Sequence, residues 1–420
     1  MKTLAVLGAG TGGTIVANRM RKRLGKDWRV VVVDPRDQHL YQPGLLFLPF
    51  GRYEPEELLR ARKDTFRSGV EWLRSEVVGI DGEARRVEFA EGEPLSYDLL
   101  VVASGVRLRP DLTEGLTGPG WREKVFDFYS LEGASALRAA LSTFEGGRLV
   151  LNVVENPIKC PVAPLEFLFL ADEYFTRRGV RDRVELVYAT PLDAAFTKPQ
   201  AAKKLGYLLE EKKVHLVTEF MTSEVDGAAG HLRSYDEREE PFDLLVTIPT
   251  HSGAAFVERS QLGDELAFLP TDPHTLRSKN IPGAFVVGDA TDLPTSKAGS
   301  VAHFEAEVVC DNLLLAAKGE EPEPLFDGHA NCFVETGWGK ALLLDFNYET
   351  EPLPGRFPTP WGPFTLLEES RRNHWGKLAF HWLYWNALLP GRPLPVEARM
   401  SLTGKELPQE TTEQPERAEA

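Results

Sequence analysis

The strongest chemical signal in the chain is a cysteine standing where glycines belong. Cys160 lies in Val154-Glu155-Asn156-Pro157-Ile158-Lys159-Cys160-Pro161-Val162-Ala163-Pro164, directly after the apolar run Arg148-Leu149-Val150-Leu151-Asn152-Val153. An apolar run, a turn and then a helical stretch over 164–176 is the layout of a dinucleotide-binding unit. The turn of such a unit carries glycines, so that the backbone can approach a pyrophosphate. Here prolines and side chains block that approach. A thiolate is the reactive form of cysteine, and helix N-termini and nearby cations lower a thiol pKa. Lys159 and the helix starting near Pro161 to Pro164 therefore predict a depressed pKa at Cys160. Glu166 is placed either as an acid/base for the same turn or as a dipole partner in the first turns of the helix. The chemistry implied is sulfur redox rather than nicotinamide binding.

Only two other cysteines occur, Cys310 and Cys332. Three cysteines make no disulfide framework, so a Cys–Cys pair here would be catalytic rather than structural. Cys310 sits mid-helix in Val308-Val309-Cys310-Asp311-Asn312-Leu313 and reads as small core packing. Cys332 lies in Ala330-Asn331-Cys332-Phe333-Val334-Glu335, one strand of a hairpin with 341–346. Its spacing from Cys160 does not by itself bring the two together. No metal site is expected.

The elements that would position this chemistry begin at the N-terminus. Thr3-Leu4-Ala5-Val6-Leu7 reads as a buried strand, followed by Gly8-Ala9-Gly10-Thr11-Gly12-Gly13, a helix from Thr14 to Leu24, and a strand Arg29–Val33 ending in Asp34. Gly8 permits the tight turn, Gly10 the close approach of a pyrophosphate, and Gly13 close helix packing; Asp34 is placed for a ribose. Tyr97-Asp98-Leu99-Leu100-Val101-Val102-Ala103-Ser104-Gly105 and Ala284-Phe285-Val286-Val287-Gly288-Asp289-Ala290 are strands ending in small residues. They resemble segments that flavin disulfide-reductase-like proteins place near FAD: Ala103 and Gly105 in the first, Gly288 and Asp289 in the second. Asp289 then holds ribityl hydroxyls, or caps the next helix, or both. That helix opens at Ser296-Lys297-Ala298-Gly299 and runs towards Leu315. Lys297 and the helix dipole either stabilise charge on a reduced flavin or leave a solvated first-turn lysine.

Phe242-Asp243-Leu244-Leu245-Val246-Thr247-Ile248-Pro249 mirrors 97–105, as a second dinucleotide domain would. The fold class is α/β, with two Rossmann-like domains and a C-terminal membrane-docking region. The first domain is expected over 1–105 and 284–325, the second over 106–283, the C-terminal region over 326–403 and a disordered tail over 404–420.

The net charge of −15 argues against nucleic acid as a partner. The N-terminus runs straight into a strand and lacks the pattern of a signal peptide. Leu378-Ala379-Phe380-His381-Trp382-Leu383-Tyr384-Trp385-Asn386-Ala387-Leu388-Leu389 is nearly apolar, with Arg371, Arg372 and Lys377 before it and Arg392 after. It is too short to span a bilayer. It reads either as an interfacial helix with aromatic and cationic anchors or as a docked helix or oligomer interface.

The Gly8–Gly13 run, Pro157–Glu166, Gly288–Gly299 and the Cys332 hairpin together resemble the sulfide:quinone oxidoreductase family, with the flavoprotein subunit of flavocytochrome c sulfide dehydrogenase as a relative. The resemblance covers residues 1 to about 390. It implies FAD as cofactor, sulfide as substrate and membrane quinone as acceptor. It also implies a peripheral, monotopic protein at the cytoplasmic membrane, with homo-oligomers a further expectation. Cys160 and Cys332 match the family's redox pair, Glu166 lies beside it, and Lys297 matches a lysine near flavin and quinone. One departure stands out: where many members carry a third cysteine, Lys124-Val125-Phe126-Asp127-Phe128-Tyr129 has none. Covalent flavin attachment at that position is therefore impossible. Two alternatives follow. A type II NADH:quinone oxidoreductase shares the fold but needs a second glycine fingerprint. A flavoprotein subunit feeding a cytochrome partner is left open by the missing cysteine.

Overall fold

The computed structural model describes residues 1–394 and 396–407. The chain begins with β1 (Lys2–Leu7), α1 (Thr11–Arg23), β2 (Trp28–Val33), β3 (Val70–Leu73) and β4 (Leu99–Val102). It then builds a second unit: β5 (Val125–Phe126), α2 (Leu131–Thr143), β6 (Gly147–Val153), α3 (Ala163–Arg177), β7 (Val184–Ala189), α4 (Pro199–Glu211), β8 (Val214–Val217) and β9 (Leu244–Ile248). The chain returns to the first unit with β10 (Ala284–Val286) and α5 (Gly299–Lys318). A hairpin, β11 (Ala330–Gly337) with β12 (Lys340–Phe346), and α6 (Arg371–Leu383) complete it.

Each unit is built on a five-stranded parallel sheet. The orders are β10-β4-β1-β2-β3 and β5-β9-β6-β7-β8. Their strands are continuous apolar runs because helices cover both faces of a parallel sheet. The two units share more than topology. In the first, Asp98 accepts a hydrogen bond from the Thr3 amide (2.7 Å); in the second, Asp243 accepts one from the Arg148 amide (2.7 Å). In both, an aspartate just before the strand next to the central one (β4, β9) fastens the start of the central strand (β1, β6). The expected mirror between 97–105 and 242–249 is thus present in side-chain detail.

The return point differs from the expected boundary at 283. Arg107–Leu108 pairs antiparallel with His251–Ser252, marking where the chain crosses out and back. Phe256, Val257, Ala267, Leu269 and Ile281 pack in one core with Leu7, Val33 and Leu100 of the first unit. By packing, the second unit therefore closes near residue 252.

In the C-terminal region the second half of the apolar segment takes the docked alternative rather than the interfacial one. No described helix is long and apolar enough to cross a membrane. Trp375 and Trp382 are exposed, but Tyr384, Trp385, Leu388 and Leu389 are buried. The Tyr384 hydroxyl lies 2.8 Å from Thr11 Oγ1 and 2.7 Å from His39 Nε2, and Asn18 Nδ2 donates to Leu389 O (2.8 Å). The second half of the apolar segment is thus the cover of α1. The tail expected to be disordered from 404 is also ordered at its start. Lys405 is buried and ion-paired with Asp345 at 2.5 Å, and Arg356 N donates to Gly404 O (2.8 Å). Residues 408–420 lie outside the described residues.

Tyr384→Phe leaves His39 and Thr11 without this partner in a buried site and is expected to cost about 1–3 kcal/mol. Trp382→Ala on the exposed face should change stability by less than about 0.5 kcal/mol. Urea unfolding of the two variants beside the parent checks the contrast.

Candidate active site

The first glycine turn is shaped for a dinucleotide. Gly8 has φ +96°, and a Cβ there would lie 2.4 Å from Ala103 O. A Cβ on Gly13 would lie 2.0 Å from Gly8 O. A Cβ on Gly10 would meet nothing within 4 Å. Gly8 and Gly13 are therefore fixed by packing, while Gly10 faces open space at the N-terminus of α1, where no side chain caps the helix. Free helix N–H groups beside open space suit a pyrophosphate. Asp34 is buried, accepting from the amides of Ala9 and Arg36 (both 2.9 Å), with the Arg62 guanidinium 3.7 Å away. Gly105, at φ +64°, also faces open space.

The Gly288-Asp289 segment follows β10. Gly288 N donates to the buried Glu305 carboxylate. Burial raises the pKa of Asp289, while Lys297 and Lys159 lower it. The Asp289 carboxylate accepts no hydrogen bond from the described protein atoms, which leaves it for a ligand's hydroxyls. Lys297 is not a solvated lysine. It is 5% exposed, donates to Asp289 O (3.1 Å) and Thr291 O (2.6 Å), and sits 4.4 Å over the Phe268 ring. Burial lowers its pKa, opposed by Asp289. Ala298 is the uncapped N-cap of α5, and Gly299 beyond it faces open space. Open glycines, an uncapped helix and an unpartnered carboxylate fit FAD.

The second turn is closed. Ile158 and Val162 are buried where a glycine fingerprint would leave room. Cys160 holds a left-handed backbone at φ 50°. Its amide donates to Lys297 O (2.6 Å), and its carbonyl accepts from Ala163 N (2.9 Å) and Tyr129 Oη (3.2 Å). The turn that replaces the second nucleotide site is therefore stitched to the segment beneath the first.

The fold brings Cys160, Cys332 and Glu166 together. The two thiols lie within electrostatic reach of one another, of Glu166 on α3 and of Lys377 on α6. Glu166 is fully buried; its Oε1 accepts from Glu335 N (2.6 Å) and from Lys377 Nζ. Its Oε2 is buried with no partner. Lys377 also donates to Phe333 O (2.8 Å). Burial raises the Glu166 pKa and Lys377 pulls it back. Burial opposes the Lys377 charge, but Glu166, Cys160 and Glu335 outweigh it and raise its pKa. Cys310 is fully buried within α5, in the core role expected of it.

Two readings are corrected here. The Cys160 thiol is not depressed. Burial pushes it up to about 12, Glu166 adds to this, and Lys377 works against it. Cys332 is likewise pushed up to about 12 by burial, with Lys377 opposing. Lys159 does not serve as the activating cation, because its ammonium is engaged by Gln42 Oε1 (2.7 Å) and Tyr129 O (3.0 Å). The cation beside the sulfurs is Lys377, which the sequence presents as a membrane anchor. Its signal was a lysine at the start of the apolar run, three residues after His374.

These features define an α/β flavoprotein oxidoreductase with two dinucleotide-type domains, one open and one closed. Residues 2–151 match the family model described as pyridine nucleotide-disulphide oxidoreductase. The chain is 28% identical to the mitochondrial sulfide:quinone oxidoreductase of Mus musculus, over 92% of this chain and 86% of that protein. It is 27% identical to the one from Schizosaccharomyces pombe, over 91% and 88%. The crystal structure of the sulfide:quinone oxidoreductase from Aquifex aeolicus superposes with a TM-score of 0.77 at 18% identity, covering 93% of this chain and 92% of that one. The resemblance read from the sequence thus extends along nearly the whole chain.

Lys377→Met strands the Glu166 carboxylate in a buried site and is expected to destabilise by about 3–5 kcal/mol. Adding Glu166→Gln should recover part of that loss, because the uncompensated charge is gone. Denaturant unfolding of the two single variants and the double variant measures the coupling.

Proposed function

We propose that this protein is an FAD-dependent sulfide:quinone oxidoreductase in which Cys160 and Cys332 are the redox pair. The observation that carries the reading is the closed second turn. Where a nicotinamide would be held, the chain places Cys160 within reach of Cys332, Glu166 and Lys377. That arrangement disfavours the type II NADH:quinone oxidoreductase alternative, which needs an open fingerprint there.

Gly8, Gly10, Gly13 and Asp34 would hold the pyrophosphate and ribose of FAD, with Ala103, Gly105, Gly288, Asp289, Lys297 and Ala298 around its flavin portion. When bound, FAD supplies the two-electron acceptor for the sulfur half-reaction and the donor to quinone. The chain's own residues set up the sulfur chemistry. Thiols held near 12 stay protonated at neutral pH, so the anionic nucleophile is the incoming HS⁻ rather than a resting thiolate. HS⁻ attacks the oxidised cysteine pair, the inter-cysteine S–S bond breaks, and a persulfide forms on one sulfur. Lys377 steadies negative charge on the departing sulfur. Glu166, with a free Oε2, is the base that takes up protons there.

The quinone side belongs to the C-terminal region. Trp361, Trp375 and Trp382 are exposed at 94%, 68% and 66%, in a region that also presents Arg371 and Arg372 to solvent. Amphipathic aromatic side chains beside cations suit the lipid–water interface, and a lipid-soluble quinone would enter from there.

Anaerobic sulfide should bleach the flavin absorbance of the parent holoenzyme, and added quinone should restore it. Cys160→Ser should abolish bleaching, and Cys310→Ser should leave it intact. Rapid bleaching by NADH instead would overturn the reading. For the membrane face, Trp375→Ala/Trp382→Ala should weaken cosedimentation with anionic phospholipid vesicles by about tenfold or more, since each interfacial tryptophan adds about 1 kcal/mol or more of buried apolar area. Unchanged cosedimentation would contradict that assignment.

A further inference from the structure

Ala9 and Thr11 flank Gly10 at the first glycine turn, and each is pinned from a different direction. Ala9 is fixed from within the first unit. Its amide donates to Asp34 Oδ2 (2.9 Å), and its carbonyl accepts from Thr14 Oγ1 (3.1 Å), His39 Nδ1 (3.1 Å) and the Arg62 guanidinium. Thr11, the first residue of α1, is fixed by the C-terminal segment. Its hydroxyl lies 2.8 Å from the Tyr384 hydroxyl, which in turn lies 2.7 Å from His39 Nε2. The hydrogen-bonded chain Thr11–Tyr384–His39–Ala9 therefore closes a loop around Gly10.

The direction of this chain follows from its donors and acceptors. The Ala9 carbonyl can only accept, so His39 Nδ1 carries a proton. Burial, reinforced by Arg62, lowers the His39 pKa to about 3, so the ring is neutral and Nε2 is an acceptor. The Tyr384 O–H donates to it, and a Tyr384 lone pair accepts from the Thr11 hydroxyl. The Thr11 side chain is thereby held towards the C-terminal segment. The first helical bond of α1 runs from Thr14 N to Gly10 O (3.0 Å), so the amides of Thr11, Gly12 and Gly13 have no carbonyl partner within the helix. These are the donors that a pyrophosphate at this turn would meet.

Packing alone does not call for the Tyr384 hydroxyl. The ring is buried among other aromatic rings, 4.9 Å from Tyr41 and 5.2 Å from Trp385 between centroids. A phenylalanine would keep those contacts. What the hydroxyl adds is the link between Thr11 and His39.

We propose that Tyr384 is a positioning residue for the cofactor: it holds Thr11 directly, and Ala9 through His39, so that the turn between them is set for the pyrophosphate of FAD before FAD binds. A turn ordered in advance has less freedom to lose on binding. The C-terminal segment is then part of the cofactor site, although Tyr384 lies 373 residues from Thr11. Tyr384 acts through Thr11 and His39. The inference rests on FAD at the Gly8–Gly13 turn and not on the sulfur chemistry.

The test is the rate of FAD release from the holoenzyme, followed after dilution by the rise of free-flavin fluorescence, at a temperature where circular dichroism shows each variant folded. Tyr384→Phe should speed release about tenfold, as losing one well-placed hydrogen bond would, with the change in affinity falling mainly on dissociation. Thr11→Val should act in the same direction, and Thr11→Ser, which keeps the hydroxyl, should release FAD at the parent's rate. Tyr384→Phe/Thr11→Val should be no faster than Tyr384→Phe alone, because both changes remove the same bond. Asn18→Ala loosens the same segment elsewhere, at Leu389 O (2.8 Å from Asn18 Nδ2). It should stay within about twofold of the parent, since it leaves the turn's own bonds in place. Parent-like release from Tyr384→Phe, additive effects in the double variant, or equal acceleration by Asn18→Ala would each overturn the proposal. Should Tyr384→Phe fail to fold, the Thr11 pair decides: equal release from Thr11→Val and Thr11→Ser would overturn it. A parent holoenzyme whose flavin sulfide does not bleach would overturn the proposed function instead, a result distinct from any of these.

Discussion

The fully buried carboxylate of Glu166 has to be matched by a cation, and Lys377 is the group that reaches it. Much of the site's geometry depends on that match. Glu166 stands on α3, just past the Cys160 turn. Lys377 stands on α6, in the C-terminal region. Between them runs β11, which supplies Cys332, the amide of Glu335 and the carbonyl of Phe333. One ion pair and its hydrogen bonds hold these three segments in register, although α3 lies well over a hundred residues before the other two. Removing either partner would leave a charge in a medium that cannot solvate it. The same environment pushes both thiols up to about 12, which favours the protonated thiol at neutral pH.

The two units repeat one plan, and the second closes the turn that the first leaves open. Asp98 and Asp243 fasten their respective sheets in the same way, and both sheets have the same parallel plan. The first unit keeps open space at Gly10. The second fills the corresponding turn with Ile158 and Val162 and ties Cys160 to Lys297. The link between Cys160 N and Lys297 O joins the sulfur turn directly to the segment carrying Asp289. Both turns are anchored at the rims of parallel sheets.

Much of this was legible in the sequence because it rests on local patterns. Continuous apolar runs marked the central strands, and glycine spacing marked the first nucleotide turn. The Cys160 turn was conspicuous because its prolines and side chains contradict their setting. What stayed hidden depends on contacts between distant segments. Lys377 looks like a cationic flank of an apolar helix; only the packing of α6 against the β11–β12 hairpin turns it inward to Glu166. Tyr384 and Trp385 share a helix-like apolar run with Trp382, yet they are drawn into the core because Thr11 and His39 offer partners for the Tyr384 hydroxyl. Lys405 sits in a polar tail and is buried because Asp345, deep in the hairpin, has room for an ammonium. The thiol pKa was misread for the same reason: the adjacent Lys159 is engaged elsewhere, and burial outweighs sequence neighbours.

The central claim is that substrate sulfur becomes covalently attached at Cys160 and Cys332. Mass spectrometry of peptides from holoenzyme treated with sulfide under anaerobic conditions, digested without reductant, tests it most directly. The account predicts Cys160 and Cys332 peptides that carry or are bridged by added sulfur atoms, with the Cys310 peptide unmodified. Unmodified Cys160 and Cys332 peptides from enzyme whose flavin has been reduced by sulfide would contradict it.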